Sequence, residues 1–177
     1  MKAATIFIIA VALGWHFAEP VPPSPLSFAP LSMEQIQKGI AYDQKEKEYT
    51  RAAIAARLVY RRSGCRTTFA EETGRVAVDN GISARVLAAL VFVESSCNPN
   101  AVSGRASVGL TQVNPLVWGH SRAELVNPER NLRIGAGILA SYVHRYGLVE
   151  GLHRYNGLGN PTLEYPERVL AVAGMRG

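Results

Sequence analysis

Apolar positions along this chain recur at helical spacing, and no stretch sustains the alternation of a strand. From Met33 to Arg62 a helix is predicted, opened by Ser32 and Gln35 at the spacing of a capping box. Its middle, Asp43 to Glu48, is almost wholly charged and reads as solvated. Its second half is alanine-rich, carries Ile54, Leu58 and Val59, and reads as a docking surface that Ser63-Gly64 closes. Further helices are predicted over Thr68–Asn80, Ala84–Ser95, Val108–Asn114, Arg122–Leu125, Pro128–Tyr146, Val149–Tyr155 and Pro166–Ala173. Asn127-Pro128 pairs a cap with proline at the first helical position. Leu132, Ala136, Leu139, Val143 and Tyr146 form that helix's buried stripe, and Gly147 is a good stop. The fold class that follows is all-α, with grooves lined by loops rich in Gly, Asn and Pro.

One stripe ends in an acid. With Ser83 as N-cap, Leu87, Leu90, Val91 and Glu94 fall at i, i+3, i+4 and i+7, so they share the face a domain buries. Burial disfavours the ionised carboxyl. The C-terminal end of the helix dipole disfavours it as well. Both effects favour a protonated group near neutral pH, as a general acid requires. A glutamate in a last helical turn is more often simply solvated, so position alone does not assign the role.

Composition narrows the rest. The 177 residues suffice for one compact domain; 47% are hydrophobic and the net charge is +5. The mild basic excess suits an anionic partner. No Lys/Arg cluster interleaved with aromatics points to nucleic acid. Residues 1–18 have the shape of a signal peptide or short membrane anchor: Lys2, then an apolar run, with Ala12-Leu13-Gly14 as a small-x-small cleavage candidate. Residues 19–31 are a proline-rich spacer, 32–63 the charged helix and 64–177 the compact domain. Export would make Cys65 and Cys97 a candidate disulfide, the only pairing two cysteines allow. The alternative is two unpaired small apolar residues. His16, His120, His144 and His153 are scattered without ligand spacing, so neither a metal site nor a cofactor is expected.

The segments around Glu94 then supply a pattern. Glu94-Ser95 leads into Gly109-Leu110-Thr111-Gln112; Asn131-Leu132 follows on the long helix; Arg154-Tyr155-Asn156 and Tyr165 to Val169 close the series. In order and spacing this resembles the soluble lytic transglycosylases, relatives of goose-type lysozyme, over about half of the chain. Their pattern is an "ES" pair, a "GLMQ" turn, an "AYN" motif and a closing "Y…V". The resemblance implies a lysozyme-like domain acting on peptidoglycan glycan strands, exported to the periplasm or anchored on the inner membrane facing it. It implies cleavage of the bond between N-acetylmuramic acid and N-acetylglucosamine without water. Glu94 protonates the leaving oxygen, then accepts the proton of the substrate's own 6-hydroxyl, leaving a 1,6-anhydromuramoyl end. One carboxyl is then enough where ordinary glycosidases use two.

By the same resemblance Tyr155 hydrogen-bonds and orients Glu94. Ser95 orients the acid or meets a sugar. Leu110 and Gln112 line the sugar groove, Gly109 admits the glycan close to the backbone, Asn156 contacts glycan or holds its own turn, and Tyr165 sits near the site. Three positions depart from the pattern: Thr111 replaces methionine at a sugar contact, Arg154 replaces alanine, and Pro166 follows Tyr165. They bear on subsite preference more than on chemistry. Family habit adds a secretion, conjugation, pilus or phage machine as partner. Two rivals remain: a goose-type hydrolase that uses water, and a non-catalytic wall-binding assembly protein working through the helix at 33–62.

Overall fold

The computed structural model describes residues 30–157 and 162–175. The leader and most of the proline-rich spacer lie outside the described residues. Helix α1 spans Met33–Arg62 and opens with the expected capping box, Ser32 N to Gln35 Oε1 at 2.8 Å and Gln35 N to Ser32 Oγ at 3.2 Å. A 3-10 turn at Thr67–Phe69 runs into α2, Ala70–Asp79, and α3 covers Ala84–Ser95. Two one-turn helices follow, α4 at Pro115–Trp118 and α5 at Arg122–Leu125. The long α6, Pro128–Tyr146, leads through Gly147 to α7, Leu148–Asn156, and α8, Glu164–Val172, closes the fold. The class is all-α, as the spacing predicts; among the described residues β structure is limited to isolated bridges of Val108 with Val102 and Val113.

The core is built around α3. Leu87, Leu90 and Val91 are fully buried between α1, α2, α6 and α8, and Ala56, Val59 and Tyr60 of α1 belong to the same cluster. The core therefore reaches back past residue 64, and the second half of α1 is part of it. α1 and α2 cross so closely that a Cβ on Gly74 would collide with the Ala53 backbone. At that crossing Tyr60 Oη and Thr73 Oγ1 share a buried hydrogen bond of 2.8 Å. Cys65 and Cys97 form a disulfide that ties the end of α1 to the turn after α3.

Local differences from the predicted elements have physical causes. Ile54 and Leu58 remain 55% and 40% exposed, because α1 docks through Ala52, Ala56, Val59 and Tyr60 instead. Tyr146 lies off the stripe of α6, 38% exposed, with the Arg154 guanidinium 3.9 Å over its ring. Ser83 holds the N-cap position of α3 without a capping bond from its side chain. No helix covers 108–114; that segment is a tight turn, and the helix starts after it. Asn114 caps it, Oδ1 accepting from Leu116 N and Val117 N, with Pro115 in the first turn. α8 begins two residues before Pro166, whose missing N–H costs nothing in a first turn.

Candidate active site

The last turn of α3 delivers Glu94 to the floor of a cleft of about 580 Å³. The helix stops there because Ser96 adopts the left-handed conformation, φ 51°, and Cys97 follows at φ 63°. Such angles are uncommon outside glycine. The disulfide at Cys97 fixes this turn three residues beyond the acid. Ser95 does not reach the cleft lining. Its hydroxyl donates to Val91 O and to Leu110 O, both at 2.9 Å, and so ties the end of α3 to the turn after it.

Glu94 is half-buried. Burial pushes its carboxyl above the ordinary value, while a hydrogen bond from Tyr165 and the charge of Arg168 pull the other way without cancelling it. Tyr165, 5% exposed on α8, donates its hydroxyl to Glu94 Oε1 at 2.5 Å. Tyr155 does not make that bond. Its hydroxyl donates to Thr111 O at 2.8 Å, and its ring lines the cleft beside Glu94. The two tyrosines thus exchange the roles expected of them. Tyr155 comes from the end of α7 and can aim only across the cleft wall. Tyr165 enters from behind the acid, where α8 packs on α3.

Behind the cleft lies a buried polar knot. Asn131, fully buried on α6, donates through Nδ2 to Val108 O (2.7 Å) and Leu125 O (3.1 Å). Its Oδ1 accepts from Thr111 N at 2.8 Å and from Thr111 Oγ1 at 2.7 Å. The whole side chain is satisfied, as burial demands. Thr111 is itself fully buried, so it faces Asn131 rather than a sugar. Leu110 is likewise fully buried in the core and lines no groove. Gly109, at φ 81°, is required because a Cβ would collide with Asn131 Nδ2. Gln112 does line the cleft, at φ 50°, with Nε2 donating to Gly109 O (3.0 Å) and Ala101 O (3.2 Å). Exposed Asn156 lines it too.

The opposite rim is built around two aromatic residues outside the motif series. Trp118 and Tyr142 meet edge to face there, ring centroids 6.1 Å apart at 73°. Arg105 and Arg154 also reach the lining; Arg154 is held by Glu150, Nε to Oε1 2.7 Å. The run Pro115-Leu-Val-Trp118 after a capping asparagine was the signal that could have found this rim. Among the described residues lining the cleft, Glu94 is the only carboxylate. No group of His, Cys, Asp and Glu among the described residues is placed to hold a metal ion.

Comparison with known proteins identifies the family. The family model described as "Transglycosylase SLT domain" matches residues 73–168, more than half of the chain and all of α3 to α7. Over 84 residues the chain is 36% identical to a protein named endo-type membrane-bound lytic murein transglycosylase A from Cronobacter sakazakii, and 34% identical to one so named from Enterobacter sp.. A Klebsiella pneumoniae protein of the same name is 35% identical over 72 residues. The first two matches cover 41% of this chain and 40% of each relative, and the third covers 34% and 36%. The chain thus spans about two fifths of the length of these relatives. No solved structure matches it.

Proposed function

From the premise that this chain belongs to the transglycosylase SLT domain family, we propose that it is a peptidoglycan lytic transglycosylase with Glu94 as its single general acid and base. The observation that carries the reading is the setting of Glu94: it is the one carboxylate among the described cleft residues, raised above its ordinary pKa by burial and held by Tyr165. A protonated carboxyl at the floor of a sugar-sized cleft is suited to donate its proton to a glycosidic oxygen. The bond is that between N-acetylmuramic acid and N-acetylglucosamine. As the C–O bond breaks, Glu94 passes its proton to the departing oxygen and becomes a carboxylate. It then accepts the proton of the muramoyl 6-hydroxyl, whose oxygen closes on C1 to give the 1,6-anhydro end. Glu94 returns to its starting state and no water is consumed.

Tyr165 is the positioning residue of this scheme, acting on Glu94 from behind. Tyr155 shapes the wall of the cleft. Gln112 and Asn156 present amides suited to N-acetyl groups. Export would give access to the wall, and the relatives carry "membrane-bound" in their names. No helix among the described residues is long and apolar enough to cross a membrane.

The test is product analysis on purified peptidoglycan. Mass spectrometry is expected to find muropeptides lighter by one water than their reducing-end forms. Reducing ends alone would assign the site to a hydrolase. Glu94→Gln is expected to lower lysis by at least about 100-fold while sedimentation with the wall persists. A variant that lyses as fast as the parent removes Glu94 from the mechanism.

A further inference from the structure

Helix α1 carries apolar residues on two faces, and the fold uses one of them. Ala52, Ala56, Val59 and Tyr60 pack into the core, and Tyr49 Oη donates to Asp79 Oδ1 at 2.6 Å on the same side. On the other side Met33, Ile36, Ile40 and Ile54 stand 69%, 39%, 53% and 55% exposed. Their spacing is not scattered. Met33, Ile40, Lys47 and Ile54 recur every seventh residue, and Ile36 and Asp43 lie three residues after the first two of them. This is the a/d spacing of a coiled-coil seam, on a helix of 30 residues and so about 45 Å long.

The polar residues at the centre of the seam identify its occupant. Asp43 and Lys47 pair with each other, Lys47 Nζ donating to Asp43 Oδ2 at 2.6 Å, and both side chains are more than 60% exposed. In an antiparallel pair of α1 helices, the register that sets Asp43 against Lys47 of a second copy repeats the same pairing through the two-fold axis. That register also sets Ile36 against Ile54 and Ile40 against the methyl-bearing Thr50. A parallel pair would instead face Asp43 with Asp43 and Lys47 with Lys47. The seam is thus complementary to itself in one orientation only, which is the condition for an isologous dimer. A lipid surface offers no such partner for a charge pair in mid-stripe.

We propose that α1 is an antiparallel dimerisation helix and that its exposed seam is covered by α1 of a second copy of this chain. The two catalytic domains then lie on the outer flanks of the helix pair, each docked through the face opposite the seam.

Sedimentation of the full chain from about 1 to 100 µM, the range of weak to moderate self-association, is expected to show a concentration-dependent dimer. Ile36→Glu and Ile54→Glu, both at exposed positions, are each expected to weaken it at least about tenfold with helicity by circular dichroism unchanged, since each buries a carboxylate in the seam. Lys47→Asp alone sets acid against acid and weakens the dimer; adding Asp43→Lys restores opposite charges and the dimer with them. The described cysteines are paired in the native disulfide, so new ones report orientation. An Ile36→Cys chain mixed with an Ile54→Cys chain is expected to cross-link, and Ile36→Cys alone is not. A parent that stays monomeric throughout overturns the proposal, as does cross-linking of Ile36→Cys to itself. A monomer whose seam variants instead lose binding to anionic vesicles would assign the stripe to a membrane and overturn it equally.

Discussion

The two sides of Glu94 are built on opposite principles. Behind it, Tyr165 is 5% exposed and Thr111 and Asn131 not at all, and every polar group of the Asn131 side chain has a partner. In front of it, α4 holds Leu116, Val117 and Trp118 at 87%, 70% and 38% exposure. One segment, residues 101–118, supplies both sides. Val108 to Thr111 and Val113 of it are buried, and the chain then turns outward at Asn114, which caps α4. The difference separates two tasks. Orienting an acid needs groups that cannot move, and a satisfied buried network supplies them. Receiving a long, varied polymer needs an open rim whose contacts are replaceable.

If that division holds, damage behind the acid should cost the fold, and damage in front should cost only substrate. The largest effect is expected at Asn131. Asn131→Leu keeps the volume but strands Leu125 O and the Thr111 N–H away from water, and leaves Val108 O only its bond from Val113 N. Loss of such buried bonds costs about 2 to 4 kcal/mol in total. Chemical denaturation should show the midpoint fall while the slope stays constant. A variant as stable as the parent would remove the knot from the structural account of the site.

Asn131 also shows what could be read from the chain. Its place in the motif series was visible, because the helix carrying it has a clear cap and stripe. Its role was not, because a buried asparagine and a solvated one look alike until the turn at 108–113 is folded against it. The exchange between Tyr155 and Tyr165 has the same origin. Both tyrosines end up near Glu94, and order along the chain cannot say which approaches from behind. Periodicity made the long helices legible, since their burial is repeated every turn. It failed at 108–114, where Val108, Leu110 and Val113 are buried by a turn with left-handed Gly109 and Gln112 rather than by a helix. Thr111, read as a sugar contact, is fully buried for the same reason.

Next in size is Tyr165→Phe, which tests the rear wall through chemistry rather than stability. The tyrosine's hydrogen bond favours the ionised carboxyl and so holds the pKa of Glu94 below where burial alone would set it. Without that bond the pKa rises further. Activity that needs protonated Glu94 falls as pH passes that pKa, so the alkaline limb of kcat/KM should move to higher pH. Loss of orientation should also lower kcat about tenfold, a cost of about 1.4 kcal/mol. A drop in kcat with the limb unmoved would reduce Tyr165 to a packing residue. Tyr155→Phe, which breaks only the bond to Thr111 O, should leave the limb in place.

The same burial carries a stability cost that Glu94→Gln should relieve. Burial raises the carboxyl above its ordinary value of 4.5, so between that value and the raised one the native state binds more protons than the unfolded chain. Stability conferred by the protonated form is complete below 4.5 and is lost as pH rises through the raised value. Gln cannot ionise. Thermal melts should therefore coincide for parent and variant at low pH, with the variant pulling ahead as pH increases. A variant that instead loses stability with rising pH would mean that Tyr165 and Arg168 outweigh burial.

The smallest effect is expected on the open side, at Trp118. Its ring is 38% exposed and touches Tyr142 edge to face, so truncation removes a contact worth about 1 kcal/mol and leaves no buried polar group stranded. Trp118→Ala should raise KM for soluble glycan fragments about fivefold, the loss of about 1 kcal/mol of contact between the ring and a sugar. The value of kcat should stay within about twofold, because a group that binds ground and transition states alike changes KM alone. Leu116→Ala serves as the neighbouring control, since Leu116 is 87% exposed and does not line the cleft. If Trp118→Ala lowered kcat as strongly as Tyr165→Phe, the front of the cleft would be taking part in placing the acid. The separation between a rigid rear and a replaceable rim would then fail where it is most directly measured.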